Sequence, residues 1–254
     1  MSLAYHKLVI FGDSITQFSC DQTHGFAVSS ALQNDYSRKL DVVVRGFGGY
    51  NSEYAALMVD KIIKFETNEH SKVKLLIVFF GTNDYCAPPN PQHVPITRYQ
   101  DNLRKIIKTA HDSNIKTIVI GPGPYNYHQW LKYNSAEESS LKSTIRARDY
   151  CDAAGKVAHE TGAAFVPLWD LIMKRSGWKE GDSEFGLKEG SAQNPLSEYL
   201  TDGIHFAGPA YQVQYEAILE AIKNTYPELH PDNVPSKLPE WTDIRSFQEF
   251  ASSL

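Results

Sequence analysis

At 254 residues, with 42% hydrophobic and 22% charged side chains, the chain has the size and balance of one ordinary α/β domain able to bury a sizeable core. A net charge of −5 with no Lys/Arg cluster argues against a nucleic-acid-binding surface, and no apolar stretch approaches the ~20 residues of a membrane-spanning helix. Met1-Ser2-Leu3 runs straight into the first strand with no room for a signal peptide. Three widely spaced cysteines, Cys20, Cys86 and Cys151, fit free thiols in a reducing compartment, so a cytoplasmic location is expected.

The stretch Lys7 to Thr16, KLVIFGDSIT, carries an unbroken apolar run closed by glycine, the pattern of a parallel strand buried on both faces. Its break leaves Ser14 at the carboxyl end of the first strand, where open α/β sheets place their chemistry. A first helix is predicted over residues 24–38 and a second strand over Asp41 to Arg45, rich in β-branched residues. The glycine-rich loop Gly46-Phe47-Gly48-Gly49-Tyr50-Asn51-Ser52 follows, then a helix over Glu53 to Phe65. Val73 to Phe80 is the most apolar run and reads as a central strand; it ends in Gly81-Thr82-Asn83-Asp84 and a proline-rich loop, Pro88 to Pro95. Further on come a helix over residues 97–113 and a strand, Lys116 to Ile120, closed by Gly121-Pro122-Gly123-Pro124. An aromatic loop with Tyr125, Tyr127 and Trp130 leads into one long helix, Ala136 to Thr161, stopped by Gly162. A fifth strand is read over Ala163 to Pro167.

Trp178 to Pro195 reads as an irregular excursion, Thr201-Asp202-Gly203-Ile204-His205-Phe206 as a compact loop, and Pro209 to Asn224 as the last amphipathic helix. From about residue 226 the chain holds four prolines and Trp241, read as a strap on the domain or on a second subunit, so a homodimer is an expectation. Strands alternating with helices predict a single α/β domain over 1–254, a three-layer αβα sandwich with a central parallel sheet of about five strands.

The first three strands thus end in polar or glycine-rich turns on one sheet edge, with Asp202 to His205 as a fourth block. Each has an ordinary reading alone: Gly49 as a tight turn, Asn83 as a turn former, Asp202 as an Asx-turn, His205 as a helix-end residue. Together they supply the parts of acyl transfer. Ser14 is a weak nucleophile until a base takes its proton; His205 can do so near neutral pH, with Asp202 orienting its other nitrogen. Asp13 competes for that role, but its position next to Ser14 points it away. The oxyanion donors would be the backbone N–H groups of Ser14 and Gly49 and the side-chain amide of Asn83. Phe18 and the aromatic loop, Tyr125 and Trp130, are candidate pocket walls.

GDSI at 12–15, the glycine loop ending at Gly49, GTND at 81–84 and DGIH at 202–205 resemble the four blocks of the SGNH hydrolases, also called GDSL-type lipases and esterases. FGDSIT, RGFGGYNS, GTND, the GPGP turn and LTDGIHF look most like the isoamyl acetate-hydrolysing esterase family. The resemblance runs from Lys7 to about Trp241. It implies a flavodoxin-like sandwich and a metal-free Ser-His-Asp mechanism without a cofactor, acting in an open site on small-molecule esters, acetates of short or medium alcohols above all. Acetylated sugars or lysophospholipids are alternative substrates, and a non-catalytic binding protein of the same fold is the reading outside enzymology. Two features depart from the family pattern: Ile15 in place of leucine, and a longer segment from Trp178 to Pro195. No G-x-S-x-G elbow, G-x-G-x-x-G or phosphate-binding loop occurs, and His159-Glu160 lacks the second histidine of a zinc motif, Ala163 standing there.

Overall fold

The computed structural model describes residues 3–252; Met1 and Ser2, part of the start read as leaderless, lie outside them. Five strands form one parallel sheet: β1 (His6–Gly12), β2 (Leu40–Gly46), β3 (Val73–Phe79), β4 (Lys116–Ile120) and β5 (Ala164–Val166), in the order β2-β1-β3-β4-β5. The two strands with unbroken apolar runs, β1 and β3, lie next to each other, and Leu8 to Phe11 and Leu75 to Phe79 are fully buried. Strand β2, on an edge, is only half-buried from Val42 onward, consistent with the Asp41 and Arg45 it contains.

Right-handed crossovers then decide which face each helix covers. The chain moves one way from β1 to β2 and the other way from β2 through β3, β4 and β5. Accordingly α3 (Ser52–Glu66), α4 (Ile96–Asp112) and α7 (Thr144–Thr161) pack in one row, while α2 (Val28–Asp35), α9 (Gly208–Thr225) and α8 (Leu168–Arg175) form the other. The result is the three-layer α/β sandwich, with one apolar core running between the layers. No helix among the described residues is long and apolar enough to cross a membrane.

Three elements differ from the sequence expectation. The helix read over 24–38 is shorter, because Ser14–Gln17 forms its own single turn, α1, and the chain stays irregular through Gly25 and Ala27 before α2 begins. The helix read over 136–161 is two helices, α6 (Ala136–Ser140) and α7, broken at Leu141 to Ser143. A Ser135–Glu138 capping box starts α6 where the long helix was expected to begin, and one cap competes with continuity at the break: the Ser143 side chain takes the Arg146 N–H to start α7. The Leu141 carbonyl left free by the break accepts from the Arg146 guanidinium (2.7 Å) and the Ala87 N–H (2.6 Å). Helices α8, which has no side-chain cap, and α10 (Ile244–Ala251), capped by Asp243 accepting the Ser246 N–H (3.0 Å), were not anticipated; a short turn, α5 (Tyr127–Trp130), lies in the aromatic loop.

The segment after Tyr226 packs on its own chain. Tyr36 donates to the Leu229 carbonyl (2.7 Å), Lys39 to that of Pro231 (2.6 Å), and the Lys237 N–H to that of Arg38 (2.9 Å).

At the other end of the sheet the last residue of β2, Gly46, touches the backbone of α1: a Cβ there would sit 2.1 Å from the Gln17 nitrogen and 2.3 Å from its Cα. Since backbone cannot rotate away as a side chain does, Gly46→Ala is expected to lower the unfolding free energy by about 1–3 kcal/mol, read by urea denaturation. An unchanged midpoint would show that α1 and β2 separate freely.

Candidate active site

Four segments converge at the carboxyl edge of the sheet. The first is α1, whose N-cap is Asp13: the Asp13 Oδ1 accepts the Ile15 N–H at 2.9 Å, and Ser14 opens the helix. The Ser14 N–H is one of the donors a helix start leaves without an intrahelical acceptor.

The last loop is built locally. The Thr201 N–H donates to the His205 carbonyl (2.8 Å), and Leu200 and Phe206 form an antiparallel bridge. Inside this closed loop Asp202 Oδ1 accepts the N–H groups of Ile204 and His205, both at 2.9 Å, while Oδ2 lies 2.7 Å from His205 Nδ1. Because a carboxylate only accepts, Nδ1 carries the proton, and the lone pair of the neutral ring sits on Nε2. That Nε2 is 2.9 Å from Ser14 Oγ. Ser14, His205 and Asp202 therefore form one continuous hydrogen-bonded chain. Burial pushes the Asp202 carboxyl up, but the hydrogen bond and charge of His205 and the two backbone N–H groups outweigh it and hold it below the usual range.

The glycine loop supplies the third segment. Phe47 to Tyr50 is a tight turn, with the Tyr50 N–H donating to the Phe47 carbonyl (3.1 Å) and Gly49 at φ +80°. Among the described residues no acceptor takes the N–H of Ser14 or of Gly49. Asn83, from the turn after β3, donates one amide hydrogen to the Tyr50 carbonyl (2.8 Å); its Nδ2 carries a second. The structure thus joins the Asn83 and Gly49 loops directly.

Asp13 and Asp84 are fully buried beneath this surface. Both oxygens of Asp84 accept the Ser52 N–H at the start of α3 (3.0 and 3.2 Å). Burial pushes its carboxyl up to about 7 against those hydrogen bonds, and the charge of Asp13 adds to the rise. Burial likewise pushes Asp13 up to about 6, opposed by the Ile15 N–H and the charges of His205 and Lys142. Lys142 is itself buried, its Nζ donating to the Thr82 carbonyl (2.7 Å) over the face of Tyr85. Neither Asp84 nor Lys142 was anticipated as part of the site; Asp84 was visible only as the last letter of the GTND block.

Of the three expected pocket residues, Phe18 is exposed and stands edge-on to the His205 ring, with 5.5 Å between ring centres. It lines a cavity of about 210 Å³ together with Asp21, His24, Asp202, His205 and Tyr211. Tyr125 is a correction: it is fully buried and its hydroxyl donates to the Ser139 carbonyl (2.9 Å), so it presents no surface to a ligand. Trp130 is half-buried and does not line that cavity; its backbone lies against Gly203, supporting the His205 loop from behind.

Residues 10–213 match the GDSL-like lipase/acylhydrolase family. The chain is 34% identical to the isoamyl acetate-hydrolyzing esterase of Saccharomyces cerevisiae over 94% of its own length and 95% of the relative's. It is 30% identical to the bovine isoamyl acetate-hydrolyzing esterase 1 homolog over 95% and 89%. Among solved structures it is similar to Axe2, an acetylxylan esterase of Geobacillus stearothermophilus, with a TM-score of 0.61 at 16% identity over 87% of this chain and 96% of that one; at this identity the likeness concerns the fold.

The buried acid under the site has a consequence for stability. An unfolded aspartate ionises near pH 4, whereas Asp84 in the fold keeps its proton to about pH 7. Unfolding between those limits releases a proton, so the contribution of Asp84 to stability is full below pH 4 and is lost as pH rises to 7, by up to about 1.4 kcal/mol per unit. Asp84→Asn, neutral throughout, is expected to gain on the parent protein across that window in urea unfolding at pH 4 to 8. A pH-independent difference would contradict this.

Proposed function

The chain belongs to the GDSL-like lipase/acylhydrolase family and is an ester hydrolase of that family; from that premise we propose that it is a serine esterase working through an acyl-enzyme on Ser14. The contact that carries this assignment is the chain from Ser14 Oγ to His205 Nε2 (2.9 Å) and from His205 Nδ1 to Asp202 (2.7 Å).

As Ser14 Oγ bonds to the ester carbonyl carbon, His205 Nε2 takes its proton, and the carbonyl π electrons move onto oxygen. Asp202, held ionised by its three hydrogen bonds, stabilises the imidazolium and fixes its orientation. The oxyanion is received by the N–H groups of Ser14 and Gly49 and the second amide hydrogen of Asn83, donors that need no reorganisation as charge develops. When the tetrahedral adduct collapses, the C–O bond to the alcohol breaks and His205 returns the proton to the leaving oxygen. Water then attacks the acyl-serine with His205 again as base, releasing the carboxylic acid and restoring Ser14.

Small esters, acetates of short or medium alcohols first among them, are the proposed substrates. One observation supports that choice: the yeast and bovine relatives are named for isoamyl acetate hydrolysis.

A fluorophosphonate probe is expected to label the protein on Ser14, mapped by peptide mass spectrometry. Ser14→Ala should lower kcat on a short-chain acetate by about 10⁶-fold and Asp202→Asn by about 10⁴-fold, with circular dichroism unchanged. Labelling elsewhere, or full turnover in Ser14→Ala, would refute the mechanism. If Asp13→Asn gave the loss and Asp202→Asn did not, the orienting acid would be Asp13.

A further inference from the structure

The weakest point of the oxyanion site is the peptide that carries its Gly49 donor. That N–H belongs to the Gly48–Gly49 peptide, the central one of the Phe47–Tyr50 turn. Rotating the central peptide of a β-turn interconverts turn types at small cost where glycines stand on both sides, since no Cβ resists either state. Rotated, the same peptide would present the Gly48 carbonyl where the donor stood, turning an attractive site into a repulsive one for an oxyanion.

Side-chain amides grip the chain on both sides of that peptide. Gln17, at the end of α1, accepts the Gly48 N–H through Oε1 at 2.8 Å. Gln92 donates from Nε2 to the Gly49 carbonyl at 2.9 Å. The two bonds hold the preceding and the following peptide planes, and Asn83 takes the next carbonyl along, that of Tyr50. Gln92 is in turn fixed by two asparagines: its N–H donates to Asn90 Oδ1 (2.9 Å) and its carbonyl accepts from Asn51 Nδ2 (3.1 Å). The proline-rich loop of residues 88–95 thereby reaches across to the glycine loop.

We propose that Gln92, with Gln17 as its counterpart, is a positioning residue of the oxyanion site, holding the Gly48–Gly49 peptide with its N–H toward Ser14. This rests on the serine-esterase function above, and it assigns to the 88–95 loop a part in catalysis without contact with substrate.

The test compares Gln92→Leu, Gln92→Glu and Gln17→Leu with the parent enzyme on one acetate ester, with Ser14→Ala in parallel. Losing an oxyanion donor outright costs about 10²–10³ in rate; losing a clamp on it is expected to cost kcat about ten- to hundredfold with KM within about twofold. Gln92→Glu, nearly isosteric, should lose at least as much, because a carboxylate cannot donate to the Gly49 carbonyl and repels it; it also carries the test if the leucine variant fails to fold. A trifluoromethyl ketone, whose bound form is an oxyanion, should weaken in proportion to kcat/KM, while an uncharged amide analogue of the substrate binds as before. A loss of thermal stability alone leaves that ratio untouched. Unchanged kcat in both Gln92 variants, or equal weakening of the ketone and the amide, overturns the proposal. Turnover surviving in Ser14→Ala would overturn the serine-esterase assignment itself, a distinguishable result.

Discussion

Two backbone hydrogen bonds run past the ends of the strands and tie the site together. The Asp13 N–H donates to the Phe79 carbonyl of β3 (3.4 Å), and the Phe47 N–H donates to the Gly12 carbonyl of β1 (2.9 Å). The ladder of the sheet thus continues into the turns that follow β1 and β2. Since β1 stands between β2 and β3, the chain leaves the sheet on opposite sides of Ser14, at the reversal of strand order where open α/β sheets leave a crevice. Gly49 and Asn83 flank Ser14 for that reason. A buried parallel strand of apolar residues, unable to slip register without exposing its neighbours, sets the depth of every polar group above it.

How much of this was legible in the sequence depended on the range of each interaction. Strands β1 and β3 were readable because burial on both faces leaves an unbroken apolar run, and the turn blocks because their glycines, Gly49, Gly81 and Gly203, take positive φ. The Asp202-to-His205 unit was readable because both partners lie within four residues. Contacts that span the chain left no local trace. Gln17, Gln92 and Asp84 join segments up to 43 residues apart, and nothing in the spacing of an isolated glutamine marks it as a clamp. Tyr125 misled for the complementary reason. Its place at a strand end was read correctly, but an aromatic ring there can face inward or outward with the same pattern, and here a buried carbonyl claimed its hydroxyl.

The segment Trp178 to Pro195, irregular as expected, lies against the aromatic loop. The Tyr127 N–H donates to the Gly186 carbonyl (3.0 Å), and Asn194 meets Asn126 (3.3 Å). Asn126 in turn donates its N–H to the Gly203 carbonyl (2.9 Å). Three pieces of irregular chain are stacked here, and the innermost holds His205. The distance from histidine to serine is therefore set on one side by the sheet and on the other by this stack, which carries no regular structure beyond the short turns of α5 and of Pro195–Glu198.

The loop from Asp202 to His205 works as a self-contained cassette. One carboxylate closes the loop with one oxygen and aims the imidazole with the other, so the pair is oriented by its own four residues. Because so few dihedrals lie between the partners, ordering them loses little chain entropy. Only one distance in the relay, from His205 to Ser14 across 191 positions of sequence, is left for the tertiary fold to maintain. Drift of the surrounding scaffold would then move His205 and Asp202 together as a unit, and lengthening or shortening the connection before Thr201 would retune reach without disturbing their alignment. That separation of a local module from a single long-range tolerance lets loops around such a site vary widely while its chemistry stays in register.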